Sequence, residues 1–175
     1  LYHYNDIGEN TQVFGVVGDP IAHSMSPLIH NRALHEAGID AVYVPFRIPQ
    51  ETLSGSLNDL DWLGVRGFSV TIPHKEAAKA FAQQESPTVI ATGAANTLLR
   101  GSTGDWQSDN TDYDAILESV LIGLGAETDD TSVLAGRKVI LLGAGGAARA
   151  AANAMIAYGA LVTIASRTRK RAQAL

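Results

Sequence analysis

The chain has 175 residues, 46% of them hydrophobic, with 13 Lys and Arg against 18 Asp and Glu and a net charge of −5. This mild acidity excludes a surface built to neutralise phosphate backbones, so no nucleic-acid partner is expected. The absence of cysteine excludes disulfides, thiolate metal sites and a cysteine nucleophile, and no apolar run approaches the ~20 residues that cross a bilayer, so a globular protein of the reducing cytoplasm is expected.

QVFGVV at 12–17 is a Val-rich apolar run ended by Gly18-Asp19-Pro20, which reads as a buried strand and its turn. Ser26 and Pro27 precede Leu28, Ile29, Ala33, Leu34 and Ala37 ahead of Gly38, so a capping serine, an N1 proline and a C′ glycine bracket a helix. AVYVPF at 41–46 with a polar helix near 50–60, and GFSVT at 67–71 with a helix from about 74 to 84, repeat the pattern. Such alternation predicts a parallel sheet covered by helices. A short strand near 96–100, the turn-rich GSTGD at 101–105 and a helix from Thr111 or Asp112 towards Gly125 follow. GAETDDTS at 125–132 is polar and glycine-bearing, the expected linker between two domains. Beyond it, KVILLG at 138–143 reads as a buried strand, GGAARAAANAMIAYG as an alanine-rich helix, LVTIAS at 161–166 as another strand, and RTRKRAQAL as the start of a helix. One βαβ unit and a fragment do not finish a nucleotide-binding sheet, so the chain is expected to stop inside that domain.

Gly143-Ala144-Gly145-Gly146-Ala147-Ala148 fits G-x-G-x-x-A directly after a strand and at the start of a helix. There, bare N–H groups and the helix dipole favour a pyrophosphate. The first glycine permits the tight turn, the second lets the backbone approach the phosphates, and Ala148 lets helix and strand pack closely. The end of the following strand carries no carboxylate to hold a ribose 2′-hydroxyl. Instead Ser166-Arg167-Thr168 leads into Arg169, Lys170 and Arg171, with Arg167 and Arg171 four apart on one helix face. Guanidinium groups there suit a 2′-phosphate, which favours NADP over NAD. A solvated basic face accounts for Arg169 and Lys170.

Three further polar clusters sit where strands end or helices start, the place at which open α/β sheets bind ligands. Ser24-Met25-Ser26-Pro27 puts two hydroxyls at a helix N-terminus, suited to a carboxylate, although Ser26 is also adequately explained as an N-cap. Ser69-Val70-Thr71-Ile72-Pro73-His74-Lys75 runs from a strand into a helix whose first turn holds a lysine, an unfavourable place for an ammonium unless a carboxylate lies close by. His74 is expected to be structural. Asp109-Asn110-Thr111-Asp112 opens a helix, and capping alone needs just one of these residues. The dipole favours the carboxylate of Asp112, which makes it a fit partner for Lys75. Asn96, in Gly93-Ala94-Ala95-Asn96-Thr97, lies where a loop enters a strand, as a turn-forming residue or a ligand.

Taken in order, SxSP at 24–27, VTxPxK at 70–75, GAxNT at 93–97, NTD at 110–112, the glycine fingerprint and the Arg-Thr pair resemble the shikimate dehydrogenase family over roughly residues 12–175. The resemblance implies an N-terminal open, mostly parallel α/β sheet domain followed by an incomplete Rossmann-type NADP-binding domain. It assigns 12–111 to shikimate binding and catalysis, 112–136 to a connecting helix and linker, and 137–175 to the start of the NADP domain. It implies that Ser24 and Ser26 hold the shikimate carboxylate and that Thr71, Lys75, Asn96 and Asp112 surround its ring hydroxyls and C3 oxygen. Lys75 and Asp112 become the catalytic pair. Gly143, Ala144, Gly145, Gly146, Ala147 and Ala148 hold pyrophosphate, and Ser166, Arg167, Thr168 and Arg171 the 2′-phosphate. GFSVTIPHK and the opening LYHYNDIG are similar to members fused downstream of a 3-dehydroquinate dehydratase, which implies an upstream domain.

The reaction so implied is NADPH-dependent reduction of 3-dehydroshikimate to shikimate, in the chorismate route to aromatic amino acids. Lys75 would protonate the alkoxide left by hydride transfer. No metal is expected, since the His and carboxylate residues show no ligand spacing. Two rivals are a quinate/shikimate dual-specificity dehydrogenase and a non-catalytic shikimate or quinate sensor. Ser26 with Thr71 speaks for shikimate, and intact Lys75 and Asp112 speak against a sensor. A chain that ends before its nucleotide sheet is complete is expected to show little activity.

Overall fold

The computed structural model describes Tyr2 and residues 6–175. Half of the opening LYHYNDIG stretch, Leu1 and His3 to Asn5, lies outside the described residues. Eight strands and seven α-helices follow in mixed order among the described residues. The chain divides into two compact units, one running up to Glu85 with Ala95–Ser108 added, the other made of Ser86–Ala94 and Asp109–Leu175. None of the three boundaries lies in the polar stretch 125–132, which leads into a 3-10 turn at Thr131–Leu134.

In the first unit β1 (Gln12–Gly18) is an inner strand, hydrogen-bonded parallel to β2 (Ala41–Arg47) and to β3 (Gly67–Val70). β5 (Thr97–Arg100) joins β3 antiparallel, and β6 (Trp106–Asp109) and β4 (Gln84–Glu85) complete the order β2-β1-β3-β5-β6-β4. The sheet is thus mostly parallel, as expected, with parallel pairing at β2-β1-β3 and at β6-β4 and an antiparallel join between β3 and β5. Gly15 is needed where β1 meets β2, because a Cβ there would lie 2.5 Å from the Val44 carbonyl oxygen and on the Phe46 ring. Helix α1 (Ser26–Glu36) follows β1, and α2 (Leu53–Trp62) follows β2 after a 3-10 turn. Val17, Phe68, Val70, Leu98 and Trp106 from the sheet pack with Leu53 and Leu57 of α2. Phe68 stacks on Trp106 at 5.4 Å between ring centroids. Each such fully buried side chain contributes about 1.5–3 kcal/mol.

The helix expected over 74–84 is much shorter. Helix α3 spans only Lys75–Ala78, a 3-10 turn takes Lys79–Phe81, and the chain then becomes β4. Pairing with β6 decides this: the Gln83 amide donates to the Trp106 carbonyl at 2.9 Å, and Gln83 Oε1 accepts from the Trp106 amide at 2.7 Å. The dipole opposing Lys75 is accordingly that of a single turn.

In the second unit α4 (Pro87–Thr92), α5 (Asp112–Gly123) and α6 (Gly146–Ala157) accompany a parallel pair, β7 (Lys138–Leu142) and β8 (Leu161–Ala165), and α7 (Arg169–Gln173) closes the chain. Leu117, Leu121, Leu134, Ala154, Met155 and Ala160 form its core, with Val139 and Val162 packed against them. The strand expected to be buried at 138–143 is covered on one face only: Ile140 is 69% and Leu142 87% exposed. A continuous apolar run suggests burial on both faces, whereas here alternate residues alone reach the core. No helix among the described residues is long and apolar enough to cross a membrane.

Candidate active site

The carboxyl ends of β1 and β3 lie side by side in the first unit, and the backbone ties the loops leaving them together. The Thr71 amide donates to the Val17 carbonyl at 2.9 Å and the Asp19 amide to the Ile72 carbonyl at 3.0 Å. Gly18 is glycine for a steric reason, since a Cβ would lie 2.6 Å from Thr71 Cγ2. The turn from Thr71 to Lys75 is closed by the His74 amide on the Thr71 carbonyl at 2.9 Å. His74 itself is fully buried, with Nε2 2.8 Å from the Ile48 carbonyl oxygen. This contact suits the structural role expected of it, pinning the start of α3 to the end of β2. The Lys75 carbonyl accepts from the Ala95 amide at 2.7 Å, and the Asn96 carbonyl from the Val70 amide at 2.6 Å. Thr71, Lys75 and Asn96 are thus gathered by backbone bonds at one end of the sheet, and all three side chains are half-buried.

Ser24 and Ser26, also half-buried, lie at the start of α1. The capping role open to Ser26 is not observed. Ser26 is the first helical residue, Met25 occupies the cap without a side-chain bond, and Ser24 Oγ accepts from the Ser26 amide at 3.3 Å. The Pro27 ring is buried and anchors this end. Asn31, one turn further, is 4% exposed and holds α1 on β2 through two bonds to the Tyr43 backbone. Its role had no sequence signal beyond an amide on a helix.

In the second unit the Asp109-Asn110-Thr111-Asp112 cluster is more than a cap. Asp109 Oδ1 accepts from the hydroxyls of Ser86 at 2.7 Å and Thr88 at 2.8 Å and from the Asn110 amide at 2.7 Å. Burial opposes ionisation of Asp109, but these three donors outweigh it and hold the carboxyl below its ordinary value. Asn110 is fully buried. Asp112, the first residue of α5, is half-buried.

The nucleotide fingerprint and the basic cluster converge within the second unit. Gly143, Ala144 and Gly145 face Ser166, Arg167, Thr168 and Arg171 across a cleft of about 400 Å³ at the carboxyl ends of β7 and β8. Gly143 has φ +130°, open to glycine and strained for other residues, and added Cβ atoms at Gly143 and Gly145 would meet nothing within 4 Å, so the loop leaves room for a ligand backed onto it. Gly146, Ala147 and Ala148 form the first turn of α6 rather than the cleft wall. A dinucleotide with a 2′-phosphate fits this set: small residues by the helix start, two guanidinium groups at the far strand end. Among the described residues no group of three or more His, Asp or Glu is placed to hold a metal ion.

Residues 16–98 match the family model described as the shikimate dehydrogenase substrate binding domain. Over this stretch and beyond it, the chain is similar to shikimate dehydrogenases. It is 46% identical over 165 residues to a shikimate dehydrogenase (NADP(+)) of Hyphomonas neptunium, covering 94% of this chain and 58% of that protein. It is 38% identical over 179 residues to a bifunctional 3-dehydroquinate dehydratase/shikimate dehydrogenase of Arabidopsis thaliana, covering 98% of this chain and 29% of that protein. Among solved structures, shikimate dehydrogenase from Aquifex aeolicus matches with a TM-score of 0.85 and 33% identity, over 96% of this chain and 60% of the other. The enzyme of Thermus thermophilus in complex with NADP(H) and shikimate matches with a TM-score of 0.76 and 36% identity, over 94% of this chain and 59% of the other. The chain therefore spans somewhat more than half the length of most of these relatives. The mixed α/β architecture with mostly parallel strands is that of the family.

Proposed function

We propose that these residues supply the substrate-binding part and the start of the cofactor-binding part of an NADP-dependent shikimate dehydrogenase, reducing 3-dehydroshikimate to shikimate in the chorismate route to aromatic amino acids, in the cytoplasm. The observation that carries the reading is the gathering of Thr71, Lys75 and Asn96 at the strand ends by backbone hydrogen bonds. In functional terms 12–111 is the shikimate-binding part, 112–136 the connection and 137–175 the beginning of the NADP-binding part, a partition distinct from the two compact units. Similarity to a bifunctional relative supports an upstream dehydratase domain as a partner in the same polypeptide.

Ser24 and Ser26 bind the substrate carboxylate, and Thr71, Asn96 and Asp112 its hydroxyls. NADPH, when bound, supplies the hydride. Gly143 to Ala148 receive its pyrophosphate at the start of α6, and Ser166, Arg167, Thr168 and Arg171 its 2′-phosphate. The Lys75 ammonium stabilises negative charge developing on the C3 oxygen and delivers the proton to it, with Asp112 as the second catalytic group. In a protein carrying these residues at the relatives' full length, Lys75→Ala should lower turnover with 3-dehydroshikimate about 100-fold or more while the KM for NADPH barely changes. Weaker shikimate binding with turnover intact would refute the proton-donor role.

A further inference from the structure

We propose that Asn110 is the positioning residue for Asp112, a role that rests on the reading of Asp112 as a catalytic group. Asn110 is 0% exposed and every polar atom of its carboxamide is used. Nδ2 donates to Thr92 Oγ1 at 3.0 Å and to the Ala94 carbonyl at 2.8 Å. Oδ1 accepts from the amide of Asp112 at 3.2 Å. Its main chain is held as well, with the amide donating to Asp109 Oδ1 at 2.7 Å and the carbonyl accepting from Tyr113 at 3.2 Å.

The direction of these bonds fixes which residue type can do this. The Thr92 hydroxyl, 2% exposed, donates to the Thr88 carbonyl at 2.7 Å and therefore presents a lone pair to Asn110. Ala94 likewise offers only an acceptor. Position 110 must then donate twice on one side and accept on the other, which a carboxylate cannot do and an apolar residue cannot begin to do. Capping would not need this: Thr111, in the cap position of α5, makes no side-chain cap bond, and one acceptor there would suffice. The buried amide instead ties the first turn of α5 to the end of α4 and the turn after it. The Cα–Cβ direction of Asp112 is thereby set by groups that do not move with α5 alone.

The test is a double-substitution cycle in the full-length protein. Asn110→Ala should lower kcat about 10-fold or more, because misplacing a catalytic group by a fraction of an ångström already costs that much, and leave the KM for NADPH unchanged. In an Asp112→Asn background the same substitution should change kcat by less than about 2-fold, since there is no longer a catalytic carboxylate to misplace. A merely structural Asn110 would give additive losses in the two backgrounds, and that result overturns the proposal. Should Asn110→Ala fail to fold, Thr92→Val removes the acceptor at similar volume and must show the same non-additivity. If Asp112→Asn alone leaves turnover intact, the underlying reading of Asp112 fails first and the positioning role falls with it, an outcome distinct from additivity.

Discussion

Replacing Asn31 by Leu removes three hydrogen bonds at a site that water does not reach. Asn31 Nδ2 donates to the Pro27 and Tyr43 carbonyls, both at 2.7 Å, and Oδ1 accepts from the Tyr43 amide at 2.8 Å. Tyr43 lies on β2, the edge strand of the sheet, so the carboxamide takes the place of a missing neighbour strand and blunts the edge. The Pro27 carbonyl lies in the first turn of α1 and keeps access to helical donors, whereas the two Tyr43 groups lose their partner outright. At about 1–3 kcal/mol for each unsatisfied buried group, with partial relaxation, the loss should be about 2–4 kcal/mol. With a urea m-value of about 2 kcal/mol/M, the midpoint should fall by about 1–2 M. Both tryptophans, Trp62 and Trp106, belong to the first unit, and Trp106 is 3% exposed, so its fluorescence follows unfolding there. Asn31→Asp keeps the acceptor but turns a carboxylate towards two carbonyl oxygens, so its deficit should shrink as the pH falls and the side chain gains a proton to donate. A loss below about 0.5 kcal/mol for Asn31→Leu would refute the account of the edge.

Arg167→Ala in the full-length protein should weaken NADPH far more than NADH, because a guanidinium bond to phosphate is worth about 1.5–3 kcal/mol, and equal losses for the two cofactors would remove Arg167 from the 2′-phosphate site. Asp109→Ala should cost about 1 kcal/mol at neutral pH, at the low end for charge-assisted bonds because the carboxylate is partly exposed. Its folded-state value is lowered, so the contribution is present above the unfolded value of about 3.9 and declines as the pH falls through the folded one. Thermal unfolding of the two proteins between neutral pH and pH 3 reads this, and a gap that widens on acidification would contradict it.

The sequence by itself determined most elements and nearly all of the candidate site residues. β1, α1, β2, β3, α6 and β8 follow from apolar runs punctuated by Gly and Pro, and the nucleotide loop follows from small residues between a strand and a helix. Helix α4 carries the same signature as α1, a Ser-Pro start and a Gly end, with Ser86 capping it and Gly93 ending it at φ +68°. Three things depended on tertiary structure. The end of the expected helix at 74–84 became a strand because Gln83 meets Trp106, a partner 23 residues away that no local pattern announces. β6 alternates buried Trp106 and Ser108 with exposed neighbours, and a buried serine at 2% exposure does not look like core until its neighbours are known. Asn31 and Asn110 read as ordinary polar residues, because what makes an amide structural is the set of donors and acceptors that distant segments bring to it. Hydrophobic periodicity and turn chemistry are local and survive in one dimension, whereas the satisfaction of a buried polar group is a property of the fold.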